Sequence, residues 1–563
     1  MLEVIEKQLK NILKEVGIKG EIDFTKPPKA EMGDLAFACF EIAKKEGKNP
    51  AEVAKDLESK VKKSTKSKVV SDVKSFGPYL NFFINAQFLV EQVLLSKNLK
   101  PKNLKPKIMV EFAHPNTHKS FHIGHLRNVI TGESIVRILE NAGHEVVRTN
   151  FQGDVGMHIA KCLYAILKYD KNGIDNQSKM DLNDRVKCLG EMYARGSKDF
   201  EESEVVQKEV GDINTKIYEQ DKLIKDIYKE TRKWSLEYFD KIYKRLYTKF
   251  DRLYFESEVF ARGREIVLSG VKEGIFKESQ GAVIFEGSKF DLHDRVFINS
   301  KGYPTYEAKD MGLAELQYKE YKPEKIIHVV GKEQKEYFKV VFKAQEQVFS
   351  YLKGRQYHLD YGWVSLKHGK MSSRTGQVVL GEWLLEEVKQ KIAEVMKDSE
   401  IKDKEEVLEK ITVAAVKYAM LKIGVRQDMA FDINESVSLT GDSGPYLLYI
   451  IARINSVLKK SKVKSTKLKV LPENIEPAEK KLLLHLANFS EVTKSSAEEL
   501  DPSKIAKYLF ELAQMFNSFY ENCPVLKAEN DEVRNFRLQL IKNVGQVMEK
   551  GIHLLGIEIV DEM

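Results

Sequence analysis

Cysteine is scarce in this chain. Four residues in 563, Cys39, Cys162, Cys188 and Cys523, with no CxxC pair, are too few for a disulfide scaffold and supply no cysteine-built zinc site. A reducing compartment, the cytoplasm, is the expected home, and no protein-bound metal is expected. Long apolar runs are missing too, and none approaches the ~18 residues that a membrane helix needs. The start carries Glu3 and Glu6 and no apolar segment, which argues against an export signal or an acid-poor transit peptide. No convincing internal repeat or long low-complexity tract is found. Charge of one sign is barely in excess, with 91 Lys plus Arg against 84 Asp plus Glu. That +7 is a weak sign of a polyanionic partner, because surplus lysine also serves solubility.

What is present is ample core material. Hydrophobic residues make up 42% of the chain, which excludes collagen and wholesale disorder, and the length suggests three or four domains. The lysines are more informative by position than by number. Lys97 to Lys107 holds five and Lys459 to Lys469 six, neither with an acid. Each reads as a solvated linker or as a set of phosphate contacts.

Residues 1–95 read as a small α/β module. Leu2, Ile5, Leu9, Ile12 and Val16 predict a helix ending near Gly17, a second helix is expected from Leu35 to Lys45, and Tyr79–Ile84 reads as a strand. Residues 96–106 read as a linker. From 107 the pattern becomes βαβ. Ile108–Ala113 is a strand candidate interrupted by Glu111, a helix follows from about His125 to Asn141, and His144–Thr149 is a strand. Lys325–Val330, Tyr337–Phe349 and His358–Leu366 repeat the alternation. Two αβ halves this far apart predict one nucleotide-binding sheet over 107–394 carrying an insertion at about 165–300. Trp234, Tyr238, Ile242, Leu246 and Phe250 mark a bundle face within it, and Gly274 to Tyr306 reads as strands and loops. From 395 to 563 the chain reads as almost entirely helical, with Asp501-Pro502 opening a helix whose stripe runs from Ile505 to Phe519.

Two stretches can handle phosphate. His122-Ile123-Gly124-His125 stands after a predicted strand at a helix start, where glycine allows close approach, imidazoles donate, and free N–H groups await an anion. A chance HxGH arises in such a chain with probability roughly 1.5%, so plain helix capping survives as a reading of that motif alone. Lys370-Met371-Ser372-Ser373-Arg374 offers two cations and two hydroxyls between Gly369 and Gly376, the composition of a mobile phosphate-binding loop or of a basic surface turn. Together, across a split sheet, they read as two jaws of an ATP clamp.

With their flanks, these motifs resemble arginyl-tRNA synthetases of the class I aminoacyl-tRNA synthetase family. The resemblance runs in order through Met32-Gly33-Asp34, Gly77-Pro78-Tyr79, Glu111 to Lys119, Phe121 to Arg127, Asn150 to Gly156, Tyr306 to Asp310, Val330 to Gln334, Gly441 to Tyr446, Ala513 to Asn517 and Leu555 to Glu558. It implies a multidomain α/β protein with a class I Rossmann-like core, an inserted domain, an N-terminal module contacting tRNA and an all-helical anticodon-binding domain. It also implies ATP-dependent activation of L-arginine and transfer to the terminal 2′-hydroxyl of its tRNA, by a monomer, with Mg²⁺ arriving on ATP.

By the same resemblance, His122, Gly124, His125, Lys370, Ser372 and Ser373 serve ATP, and Lys119 contacts ATP or the amino-acid carboxylate. Gly153, Asp154 and Gly156 form a turn near the nucleoside, while Glu111, Asn116, Tyr306, Asp310 and Gln334 bind arginine. Another class I synthetase and a noncatalytic tRNA-binding regulator remain as alternatives. An amino-acid panel separates the first from arginine activation, and turnover separates the second.

Overall fold

The computed structural model describes residues 2–64, 67–95, 105–169, 179–367, 379–397, 400–461, 472 and 474–563. The first helix, α1 (Leu2–Glu15), buries Ile5, Leu9, Ile12 and Leu13 and ends before Gly17. It belongs to an N-terminal module with a four-stranded antiparallel sheet in the order β1-β2-β4-β3. The strands are β1 (Phe24–Thr25), β2 (Leu35–Ala38), β3 (Val70–Phe76) and β4 (Tyr79–Ile84). The helix expected from Leu35 therefore starts later, as α2 (Phe40–Glu46). Leu35 to Ala38 instead pair with Phe82 to Tyr79, burying both faces of a short apolar run, so tertiary pairing overrides a local preference that favoured helix. Helix α3 (Pro50–Ser64) completes the module.

The central sheet has five parallel strands in the order β12-β11-β5-β6-β7. They are β5 (Lys105–Glu111), β6 (His144–Gln152), β7 (Arg252–Phe255), β11 (Lys325–Gly331) and β12 (Gln356–Tyr361). Of the expected linker, 96–104 lie outside the described residues, while Lys105 and Pro106 already belong to β5. Glu111 ends this strand rather than interrupting it. Between β5 and β6 runs α4 (Ile123–Asn141), buried along nearly every face because it also packs against the C-terminal helices. The strand order turns at β5, which lies between β6 and β11, and ligands of such sheets bind beyond the carboxyl ends at that point.

The span 165–300 is not one inserted body, because β7 inside it completes the central sheet. Before β7 come α5 (Met157–Tyr169), α6 (Leu182–Glu202), α7 (Glu204–Glu219) and α8 (Lys222–Arg245). Helix α8 serves two cores. Ile224 and Trp234 pack with α5 to α7, while Tyr238, Phe239, Ile242 and Tyr243 join the main core. Phe250 lies past its end, its ring 4.7 Å from Phe112. After β7 come α9 (Glu256–Lys272), a small antiparallel sheet of β8 (Lys277–Ser279), β9 (Ala282–Phe285) and β10 (Arg295–Ile298), then α10 (Tyr306–Tyr321) and α11 (Lys335–Val348).

The single strand expected from His358 to Leu366 is two. After β12 the chain turns at Gly362-Trp363, and β13 (Val364–Leu366) pairs with β14 (Met429–Phe431) in a separate sheet. The buried Arg127 guanidinium holds this turn by donating to the carbonyls of Gly362, Trp363, Val425 and Gln427. Apart from β14, the regular elements after 395 are helices, chiefly α13 (Lys404–Leu421), α14 (Gly444–Lys460), α15 (Pro477–Glu499), α16 (Ser503–Asn522) and α17 (Asp531–Leu554), preceded by α12 (Gly381–Val395). Asp501 accepts the N–H of Ser503 at the head of α16, and Ile505, Tyr508, Leu509, Leu512, Phe516 and Phe519 are buried. No helix among the described residues is long and apolar enough to cross a membrane.

Candidate active site

At the carboxyl end of β5 the chain enters a strained loop. Ala113, His114 and His118 all have positive φ, at 83°, 51° and 64°. Side chains from three elements hold them there. Asn128 on α4 accepts the N–H of Ala113 at 2.7 Å, Asn150 on β6 that of His114 at 3.1 Å, and Ser235 on α8 that of His118 at 3.0 Å. The buried His118 ring also lies 2.8 Å from the hydroxyl of Thr231 on α8 and 3.0 Å from Thr117. Strain of this kind persists only where surroundings over-determine the backbone.

The loop delivers Asn116 to Gly153 through a parallel bridge, and Thr117 N–H donates to Gly153 C=O. A Cβ on Gly153 would stand 2.1 Å from Asn116 Oδ1, so this contact requires glycine. Next to it, Asp154 is fully buried and engaged. Arg232 donates to it at 2.8 Å, as do the Ser257 N–H and hydroxyl. Its carboxylate ties β6 to α8 and α9, with no oxygen left without a partner for a nucleoside. Gly156 follows at positive φ, leading into α5.

His122 caps α4. Its Nδ1 accepts from the N–H groups of Gly124 and His125, and His125 Nδ1 accepts from His122 N–H. A Cβ on Gly124 would lie 2.9 Å from the His122 ring, so glycine lets that ring fold over the turn. The free N–H groups expected here for an anion are thus taken, Ile123 N–H included, which donates to Val379. The donors that remain are the ring Nε2–H groups, because accepting at Nδ1 puts the proton on Nε2. Burial pushes both imidazoles down, so they stay neutral, and their rings stack at 3.8 Å. Lys119 sits beside them, its ammonium 5.4 Å from the Tyr193 ring.

Lys370, Ser372 and Ser373 lie outside the described residues. The chain that follows them returns to the histidine turn, where Leu380 bridges His122 and Gly381 N–H donates to Phe121.

A cavity of about 470 Å³ opens between β5, β11, α10 and α11, and Glu111, Asn116, Tyr306, Asp310 and Gln334 all line it. Glu111 is 3% exposed. Its Oε1 lies 2.9 Å from His328 Nδ1, and Gln317 donates to Oε2. Burial alone would raise this acid, but His328, His114 and Gln317 outweigh it and hold it below the usual carboxylate range. Asp310 differs. The Tyr337 hydroxyl donates to its Oδ2 at 2.6 Å, yet burial, with Glu111 nearby, pushes it up to about 7. Tyr306, 57% exposed, stands at the mouth, where α10 begins, and Gln334 is exposed on the turn before α11.

Of the polar residues lining this cavity that sequence reasoning passed over, two stand out. Glu256, at the head of α9, accepts Lys309 Nζ at 2.7 Å through Oε2, while its Oε1 faces Gly153. Glu256 outweighs the burial of Lys309 and keeps that lysine charged. Its only local mark is a Phe-Glu-Ser triplet, and β7 pairing on β6 brings it to the site. The other is His114, half-buried and held neutral by desolvation, with its buried Nε2 unpartnered.

A family model described as tRNA synthetases class I (R), catalytic domain, matches residues 89–433. The chain belongs to the arginyl-tRNA synthetase family. Two further family models match at its ends, the arginyl tRNA synthetase N terminal domain over 3–84 and the DALR anticodon binding domain over 447–563. An arginine–tRNA ligase of Treponema denticola is 35% identical, with 96% of this chain and 95% of that protein covered. One from Borrelia hermsii is 31% identical over 100% and 98%. The fold of this synthetase is that of the Thermus thermophilus arginyl-tRNA synthetase, with a TM-score of 0.81 at 24% identity and full coverage of both chains. It is a class I enzyme, an arginine–tRNA ligase with a Rossmann-like core between an N-terminal module and a helical C-terminal domain.

Proposed function

We propose that this ligase works in two steps, both at the carboxyl end of β5. L-Arginine enters the 470 Å³ cavity with its guanidinium toward Asp310, and its carboxylate oxygen attacks the α-phosphorus of ATP. A phosphorus–oxygen bond forms, the bond to the β-phosphate oxygen breaks, and pyrophosphate leaves. The 2′-hydroxyl of the terminal tRNA adenosine then attacks the carbonyl of arginyl-adenylate and releases AMP, with one proton lost. No protein nucleophile is needed, and alignment with stabilisation of phosphate charge carries the catalysis.

The observation that carries this reading is the convergence of Glu111, Asn116, Tyr306, Asp310 and Gln334, from three separate stretches, on one cavity. Asp310 is the guanidinium partner. Its proton is held chiefly by burial, with the neighbouring Glu111 adding to it, so an arriving cation displaces it. Glu111, tied by His328 and Gln317, orients the floor of the pocket, and the open oxygen of Glu256 with Asn116 meets the α-ammonium. Neutral His122 and His125 present Nε2–H donors to the phosphates without adding a charge that pyrophosphate must leave behind. Gly124 lets them do so, and Gly153 and Gly156 bracket the turn for the nucleoside. Lys119, Lys370, Ser372 and Ser373 contribute cationic and hydroxyl contacts, supported by the return of the chain to His122 at Leu380. Mg²⁺ arrives on ATP.

An amino-acid panel in ATP–pyrophosphate exchange, run with mixed tRNA, tests the assignment. Exchange with arginine alone is expected, and selective exchange with another amino acid contradicts it.

A further inference from the structure

The histidine turn is held from outside as well as by its own caps. The segment Val379 to Gly381 lies alongside it. Ile123 N–H donates to Val379 C=O and Gly381 N–H to Phe121 C=O, both at 2.9 Å, and Leu380 bridges His122. A Cβ on Gly381 would stand 3.0 Å from the Phe121 ring, so glycine lets the two backbones close up. Because these bonds fall on both sides of His122, the turn must follow wherever that segment sits.

The segment runs straight into α12, whose second residue is Glu382. Both oxygens of its carboxylate are engaged by the helices that precede β7. Oε2 accepts the hydroxyl of the buried Tyr238 on α8 at 3.0 Å, and Oε1 accepts from Asn183 Nδ2 on α6 at 3.5 Å. Lys241, also on α8, donates to Asn183 Oδ1 at 2.9 Å and stands 3.7 Å from Glu382. Helix α8 reaches the other side of the turn as well. Its Thr231 and Ser235 hold His118, and its Phe239 ring lies 6.1 Å from Phe121, itself 5.2 Å from the His125 ring. One helix therefore grips the chain that enters the turn and, through Glu382, the chain that lies across it.

We infer that Glu382, held by Tyr238, is a positioning residue that sets where the His122 and His125 Nε2–H groups stand against the phosphates. The inference rests on the two-step reading above, which gives those groups their task. A hydrogen bond to a carboxylate is short and directional, and a misplacement of ~1 Å from a change remote from the chemistry can slow a reaction by up to ~100-fold. A second contact joins the same two helices. Arg245 on α8 pairs with Glu386 on α12 at 2.7 Å, one turn farther from the segment. It fastens helix to helix without bearing on the turn, and so separates positioning from plain support.

The full-length Tyr238→Phe and Glu382→Ala variants are compared with the parent in arginine-dependent ATP–pyrophosphate exchange with mixed tRNA, and circular dichroism checks that both stay folded. Each should lower kcat about tenfold with the arginine KM within about twofold. The double variant should fall no further than either single one, because both break the same contact. Glu382→Gln, which keeps an oxygen to accept the Tyr238 hydroxyl, should recover most of the rate, and Glu386→Ala should keep it. An unchanged kcat in Tyr238→Phe, an equal loss in Glu386→Ala, or a loss confined to the arginine KM overturns the assignment. An active parent with unaffected variants sinks this inference alone, whereas a parent that exchanges with no amino acid sinks the two-step reading and the inference with it.

Discussion

On the proposed reading, Asp310 is the residue on which amino-acid selection turns. With a pKa of about 7 in the empty cavity, it is largely protonated below that pH and an anion above it. Guanidinium binding needs the anion, so arginine affinity should fall as pH drops, by about tenfold per unit below 7. Calorimetric titration between pH 5.5 and 8.5 checks this, and a flat profile would remove Asp310 from the contact. Asp310→Asn should weaken arginine by roughly 100-fold and leave ATP affinity within twofold. At the same scale the His122–His125 pair shows why a motif can mislead in detail. The sequence offers HxGH as a candidate phosphate element, but a residue pattern does not say that Nδ1 caps the helix while Nε2 is left to donate. That division of labour follows from ring positions in three dimensions.

Among the elements, α4 and the turn after β12 form one unit. Arg127 donates to four carbonyls, and among the described residues only those of Trp363 and Val425 also accept a backbone N–H, from Met429 and Gly362. Arg127→Lys keeps the charge but loses the fork, and should cost about 2–4 kcal/mol in urea unfolding. A cost below ~1 kcal/mol would show that water replaces the guanidinium at those carbonyls. Periodicity revealed α1, α4, α8 and α16 because a helix that buries one face repeats its apolar residues. It failed at Leu35–Ala38, where a short apolar run fits helix and strand equally and pairing with β4 decides. It failed at His358–Leu366 for a related reason. A continuous β-forming run gives no sign that its second half joins β14, some 65 residues away in sequence.

For the whole molecule, the contrast is between a small neutralised pocket and a large polyanionic partner. On the proposed reading, arginine selection depends on short buried contacts, whereas tRNA is held largely through phosphates. Raising salt from roughly 50 to 200 mM should reduce tRNA affinity at least tenfold and arginine affinity less than twofold. Parallel salt titrations measure both, and similar slopes would contradict a phosphate-dominated interface. Lys107 pairs with Glu145 at 2.9 Å and Lys459 lies 3.5 Å from Glu562, so parts of the two lysine-rich stretches are tied to neighbouring acids.

Local order was written in the chain itself. Helical stripes, the parallel αβ alternation and the two phosphate motifs are short-range patterns, and the family signature follows them in order. The tertiary structure alone decided that β7 belongs to the central sheet, that Glu256 faces Asn116 and Gly153, and that Asp310 is pushed up to about 7. Each of those depends on contacts between residues distant in sequence, and burial and electrostatics act through space, where linear spacing carries no record of them.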